Sequence, residues 1–299
     1  MSSLRLCLPV LIAALVVLAG CRAEAPATRV DDLGRTVALE STPEWILPLA
    51  PNVTELVSVA AGTDRLAGVA ASDDWPPGVI PLPRFQSHPL DVEAVVSLQP
   101  DLAIGSDDVN PADQADGLAE LGIPTYLFRF DQVADVPRAL RTLDTLLAVS
   151  GGAPAAAEFE RRVAAVQNAV GPFGRPRVLL LIGDETLYAF GRDSYASELV
   201  RLAGGDNLTD LYPGAAAQPS DEAVLEMAPE VIFVLAGSDY DPASLVQKHP
   251  TFLSTPAVQN RRVYGLDSAL VSRAGPRLVE GLEQLARRLH PEAFAAGAA

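Results

Sequence analysis

The 299-residue chain reads as an α/β protein of two Rossmann-like lobes joined by one long rigid helix, and three observations lead there. The first is an internal repeat. Glu55-Leu56-Val57-Ser58-Val59-Ala60-Ala61-Gly62 returns as Glu198-Leu199-Val200-Arg201-Leu202-Ala203-Gly204-Gly205. Downstream, Glu93-Ala94-Val95 leads to Pro100-Asp101-Leu102-Ala103-Ile104, and Glu222-Ala223-Val224 leads over the same interval to Pro229-Glu230-Val231-Ile232-Phe233. Two motifs in the same order indicate two related halves. The second observation is alternation: short apolar runs with strand character follow segments of helical spacing, the rhythm of parallel sheets under helical cover. The third is a stretch near the middle, residues 153–170, rich in Ala, Glu, Arg and Gln. These are strong helix formers, and a helix of that length is a rod of roughly 25 Å.

The elements follow in order. Residues 1–20 carry one basic residue, Arg5, then an apolar run from Leu6 to Leu18. That is the form of a secretory signal, and it is shorter than the roughly 20 residues a spanning helix needs. Leu18-Ala19-Gly20-Cys21 resembles a bacterial lipobox, in which Cys21 is acylated and becomes the first mature residue. Residues 21–42 are then a lipidated tether and a first strand region. Residues 43–152 form the N-terminal lobe, 153–171 the interlobe helix and 172–295 the C-terminal lobe. In the lobes, Gly62 punctuates the helix begun near Glu55, Asp91 and Ser220 are helix N-caps, and Pro100 and Pro229 end the helices they cap. Leu102–Ile104, Val178–Ile182 and Val231–Leu235 read as buried strands. The alanine-rich end, 294–299, is expected to fray.

Composition narrows the function. Cys7 lies in the signal and Cys21 is the lipid site, so the mature chain has no pair for a disulfide despite export. The net charge of −16 argues against nucleic acid or anionic lipid as a partner; membrane attachment is by acyl chains. One lysine, Lys248, rules out a Gly-Lys-Ser/Thr phosphate loop. A Gly-x-Ser-x-Gly elbow is missing as well. His88, His249 and His290 lack metal-ligand spacing, and His249 and His290 read as solvated. The acid pairs Asp73-Asp74 and Asp184-Glu185 also read as solvated loop carboxylates. No catalytic set, resident metal or cofactor emerges, and an extracytoplasmic enzyme is the weaker alternative.

Pro51-Asn52-Val53-Thr54-Glu55-Leu56, Asp73-Asp74-Trp75-Pro76-Pro77, the segment from Asp91-Val92-Glu93 to Pro100-Asp101, and Arg273-Ala274-Gly275-Pro276-Arg277 with Leu289-His290-Pro291-Glu292 together resemble the iron-chelate and vitamin B12 family of periplasmic binding proteins. The resemblance implies the class III fold of that group, a shallow cleft between the lobes and delivery of a captured solute to an ABC importer. It implies that Glu93 and Glu222, one per lobe, dock basic residues of a permease dimer. It places Trp75, Phe85, His88 and Tyr188 at the cleft, with Arg192 and Arg273 as partners for anionic groups of a ligand. Aromatic walls suit a flat metal chelate, and a free imidazole of His88 is a candidate for its metal. The ligand is expected to be a corrinoid or a ferric chelate, with haem and siderophores as alternatives. Two departures weaken the corrinoid pattern: Ala269-Leu270 replaces an Asp-Trp pair, and Ala215-Ala216-Ala217 replaces a Trp-Pro. The expected protein is an extracytoplasmic, membrane-anchored monomer.

Overall fold

The computed structural model describes residues 27–295. The signal, Cys21 and residues 296–299 lie outside the described residues. The chain enters through an antiparallel hairpin of β1 (Ala27–Val30) and β2 (Thr36–Leu39). β2 alternates exposed Thr36 and Ala38 with buried Val37 and Leu39, the period of two that half-buries a strand. The Asp31 carboxylate closes the turn by accepting the N–H groups of Leu33 and Arg35 at 3.1 and 2.8 Å.

The N-terminal lobe runs β3 (Ile46–Pro48), α1 (Pro51–Ala61), β4 (Val69–Ala70), β5 (Arg84–Phe85), α2 (Val92–Ser97), β6 (Leu102–Ser106), α3 (Ala112–Glu120), β7 (Thr125–Phe128) and α4 (Asp135–Leu147). β3, β6 and β7 form a parallel sheet in that order, and β4 pairs in parallel with β5. α1 starts with Pro51, whose missing N–H costs nothing in the first turn, and stops at Gly62 with φ of 89°. Such a positive φ is easy for glycine alone.

The C-terminal lobe runs β8 (Arg177–Leu181), β9 (Ala189–Phe190), α6 (Tyr195–Leu202), β10 (Asp206–Asn207), β11 (Ala216–Ala217), α7 (Asp221–Met227), β12 (Val231–Leu235), α8 (Pro242–Lys248), α9 (Pro256–Gln259), β13 (Val263–Leu266), α10 (Leu278–Leu289) and α11 (Pro291–Phe294). Its six-stranded sheet has the order β11-β9-β8-β12-β13, with β10 beside β8. β8, β12 and β13 are parallel, and β9 and β11 are antiparallel additions at one side.

The repeat is visible in the backbone. Asp91 and Ser220 accept the N–H groups of Ala94 and Ala223 at 3.0 and 3.2 Å as side-chain caps of α2 and α7. Both helices stop before their prolines, and the residues preceding them, Gln99 and Ala228, take φ of 48° and 46°. The proline ring excludes the right-handed helical region from the residue before it, so each chain turns left-handed at the same place.

Between the lobes runs α5 (Gly152–Val170). It packs against both α4 and α10. Arg141 of α4 makes a bidentate pair with Glu160 of α5 (2.7 Å for both bonds), and Arg162 of α5 makes one with Glu283 of α10 (2.8 and 2.9 Å). The sheets are separate, yet one apolar core is continuous through Val53 and Phe128 of the first lobe, Phe159 and Val166 of α5, and Phe233 and Leu282 of the second. Of the end expected to fray, Phe294 instead closes α11 with its ring 4.8 Å from the Arg287 guanidinium, and the rest of that end, from 296 on, lies outside the described residues.

Candidate functional site

Parallel strands deliver all their carboxyl ends to one edge, and the loops leaving that edge are where open α/β sheets gather functional groups. In the first lobe these are the loops after β3, β4, β5, β6 and β7; in the second, those after β8, β12 and β13. Two side-chain hydrogen bonds show that the two edges meet, and the charge of a third group acts across them. Arg273, after β13, donates from Nη1 to Asp74 Oδ1, after β4, at 2.6 Å. Glu198, on α6, accepts the N–H of Val133, after β7, at 2.7 Å. Asp108, after β6, lies near enough to Tyr195 for its charge to oppose ionisation of that phenol, which burial already pushes up.

At one side of the junction the chemistry is dense. Glu55 projects from α1 and is 1 % exposed. Arg277 holds it with Nη2 to Oε1 at 2.6 Å and Nε to Oε2 at 3.2 Å, and Arg273 approaches Oε1 at 3.5 Å. The same Arg277 guanidinium lies 4.8 Å from the centroid of the Trp75 ring, a cation–π distance. Burial pushes the Glu55 carboxyl above its ordinary value although both arginines pull the other way. The hydrogen bond from Arg273 holds Asp74 below the usual carboxylate range.

Asp73 and Asp184 correct the expectation of solvated acid pairs, since both are buried. Asp73 Oδ2 accepts the Thr54 hydroxyl at 2.6 Å and the Ala70 N–H at 3.1 Å, while Oδ1 is buried without a hydrogen-bond partner. Burial therefore pushes its carboxyl up. Arg84 braces the same loop through the carbonyls of Ala70, Ala71 and Asp73. Asp184 accepts from Lys248 Nζ at 2.8 Å, Ser244 Oγ at 2.6 Å and Tyr240 Oη at 2.8 Å. Burial raises its carboxyl, but those three donors outweigh it and the net shift is downward.

Two histidines are also corrected. His249 is bonded to Asp221 at 2.8 Å and to the Asp184 carbonyl at 3.2 Å. His290 is buried against the Gly204 carbonyl at 3.1 Å, with its ring tilted against that of Phe173 at 5.7 Å between centroids. Each precedes a proline that suggested an exposed loop, and in each a partner remote in the chain fills the ring's polar needs.

Among the candidate cleft residues the structure unites Trp75 and Arg273, with Arg277, Glu55 and Asp74 added. Phe85 departs from its expected cleft position: it is 3 % exposed, packed with Leu47, Leu49 and Val95 in the first lobe's own core. Its strand, β5, turns that side chain inward and leaves Arg84 and Gln86 outward. Tyr188 is half exposed after β8, and His88 is exposed before α2. Arg192 faces a different place, a hollow of about 680 Å³ lined also by Gln132, Arg175, Glu198 and Arg201. Its nearest carboxylate is its neighbour Asp193 at 3.6 Å. Glu93 and Glu222 are both exposed in the first turns of α2 and α7, two residues beyond their caps. Arg277 and Glu55 were visible in the sequence only as motif members; their placement on opposite sides of one buried ion pair carried no local signal.

Two α/β lobes, a single connecting helix and a polar, aromatic junction of strand-end loops define a protein built around an interlobe cleft, the class III arrangement. The chain belongs to the periplasmic binding protein family, whose profile matches residues 46–270. It is 27 % identical to an uncharacterized ABC transporter substrate-binding lipoprotein, YvrC, of Bacillus subtilis, across 95 % of this chain and 96 % of the relative. The periplasmic vitamin B12 binding protein BtuF of Vibrio cholerae superposes with a TM-score of 0.74 at 25 % identity, covering 85 % of this chain and 99 % of that one. A periplasmic haem-binding protein of Pseudomonas aeruginosa shares the fold, with a TM-score of 0.75 at 24 % identity over 83 % of this chain and 93 % of its own.

Proposed function

We propose that this chain is the extracytoplasmic, lipid-anchored solute receptor of an ABC importer, and that it captures a metal chelate, a corrinoid before a haem or a siderophore. The observation that carries the reading is the Arg273–Asp74 bond beside Trp75, because it places the strand-end loops of the two lobes within reach of one ligand. Trp75 and the half-exposed Tyr188 supply flat apolar surface from opposite lobes, and each stacked aromatic adds about 0.5–1.5 kcal/mol beyond its buried area. The relative named as a substrate-binding lipoprotein and the B12-binding neighbour support the same reading, as does the lipobox ending in Cys21. Glu93 and Glu222, set at matching places on repeat-related helices, present one carboxylate per lobe to a two-fold basic surface.

The test is a titration of purified protein, followed by absorbance, with hydroxocobalamin, haemin and a ferric siderophore. Saturation at one ligand per chain by one of them is expected; no binding by any member overturns the reading. For docking, Glu93→Ala with Glu222→Ala is expected to leave the titration unchanged and to abolish uptake in cells. Normal uptake by that double variant removes the docking role.

A further inference from the structure

We propose that the cleft selects a chelate whose periphery is neutral, amide-bearing or cationic, and discriminates against one that presents carboxylates; the proposal rests on the interlobe cleft being the ligand site. The charge balance at the junction carries it. Two guanidiniums lie at that junction, Arg273 and Arg277, and both are already matched by the chain's own acids: Arg273 by Asp74 at 2.6 Å, Arg277 by Glu55 at 2.6 Å. Two positive and two negative groups leave no net charge for a ligand anion. Glu55 cannot step aside, since it is 1 % exposed and a buried charge that loses its partner is strongly penalised. Only Asp74, with its side chain 65 % exposed, can be displaced, and a ligand carboxylate taking its place gains little because one ion pair is exchanged for another.

Of the other arginines of the strand-end loops, Arg129 is bonded to an acid, Arg84 to backbone carbonyls, and Arg192 to neither. Arg129 is held by Asp107 at 2.7 Å, and Arg84 spends its Nη1 on the carbonyls of Ala70, Ala71 and Asp73. Arg192 has Asp193 at 3.6 Å. By contrast, Asp108, Asp131 and Asp239, in loops of the same edges, have no cation within ion-pair distance among the described residues. An incoming polyanion is further opposed by the field of a chain of net charge −16. A haem offers two propionates to such a surface, whereas an amidated corrin or a neutral hydroxamate complex offers none.

Matched ligand pairs test this. The mature protein is titrated with dicyanocobinamide, whose ring side chains are amides, and with dicyanocobyrinic acid, the same ring bearing carboxylates. A neutral ferric trihydroxamate is compared with an anionic ferric tricatecholate, and haemin is run alongside. In whichever pair binds, the neutral member is expected to bind at least about tenfold more tightly, as like-charge contact demands. Asp74→Asn removes the exposed carboxylate from Arg273, leaving it only Glu55 at 3.5 Å, and is expected to narrow that ratio about tenfold. Equal binding of both members, preferred binding of haemin, or an unaltered ratio in Asp74→Asn overturns the inference while the cleft reading stands. Binding of nothing in the panel defeats the cleft reading and the inference together.

Discussion

Glu55 and Glu198 open the two copies of the repeat, yet they do different work. Each sits on the helix that enters its lobe's core, and each reaches across to the other lobe. Glu55 meets the loop before α10 and is clasped by two guanidiniums; Glu198 meets the loop before α4 and takes one backbone N–H, that of Val133. Around Glu55 the junction is filled by Arg273, Arg277 and Trp75, while Glu198 borders an open hollow. Duplication preserved the position of the carboxylate and the direction of its reach. The partners then diverged, so one side of the hinge became a charged lock and the other stayed a simple hydrogen bond.

That comparison predicts unequal costs. Glu55→Ala strands Arg277 at a buried junction and should lose about 3–5 kcal/mol of stability. Glu198→Ala leaves one backbone N–H unsatisfied and should lose about 1–3 kcal/mol. Denaturant unfolding of the two variants side by side measures both, and equal losses would break the contrast.

The buried aspartates sharpen it with opposite signs. Asp73 has a raised carboxyl, so folding is penalised at neutral pH, and the penalty is relieved as pH falls through its folded value toward the ordinary one. Asp184 has a lowered carboxyl, so its contribution is present above the unfolded value and is lost as pH falls from there through the folded value. Asp184→Asn should cost about 1–3 kcal/mol at neutral pH, and the loss should vanish at low pH. Asp73→Asn should be neutral or stabilising at pH 7 and flatten the slope just above the ordinary carboxylate range. Stability curves against pH decide it; slopes of the same sign in both variants would sink the assignment.

The aromatic pair gives a smaller effect. Trp75→Ala should weaken ligand binding about tenfold, and Tyr188→Ala by less, because only Trp75 is held in place by a guanidinium. Thermal unfolding should change little in either, and unchanged affinity in Trp75→Ala removes it from the site. Smallest of all is Arg192→Ala, an exposed pair with Asp193 whose loss should move stability by no more than about 0.5 kcal/mol.

The sequence by itself determined the two α/β halves and the features that depend on neighbours in the chain. The caps Asp91 and Ser220, the prolines that stop α2 and α7, and the helix-forming run of α5 act within a turn or two, so their residue types announce them. Glu93 and Glu222 lie in the first turns of those capped helices, and their docking role is implied by the family resemblance alone. Only the tertiary structure decided which polar groups are buried and with whom. Arg273 meets Asp74 across 199 positions and Arg277 meets Glu55 across 222, and nothing near either residue encodes such a distance. His249, His290, Asp73 and Asp184 differ from the solvated residues the sequence predicts for one reason: burial is fixed by which surfaces close over a loop, and a loop's own composition is silent about what lands on it.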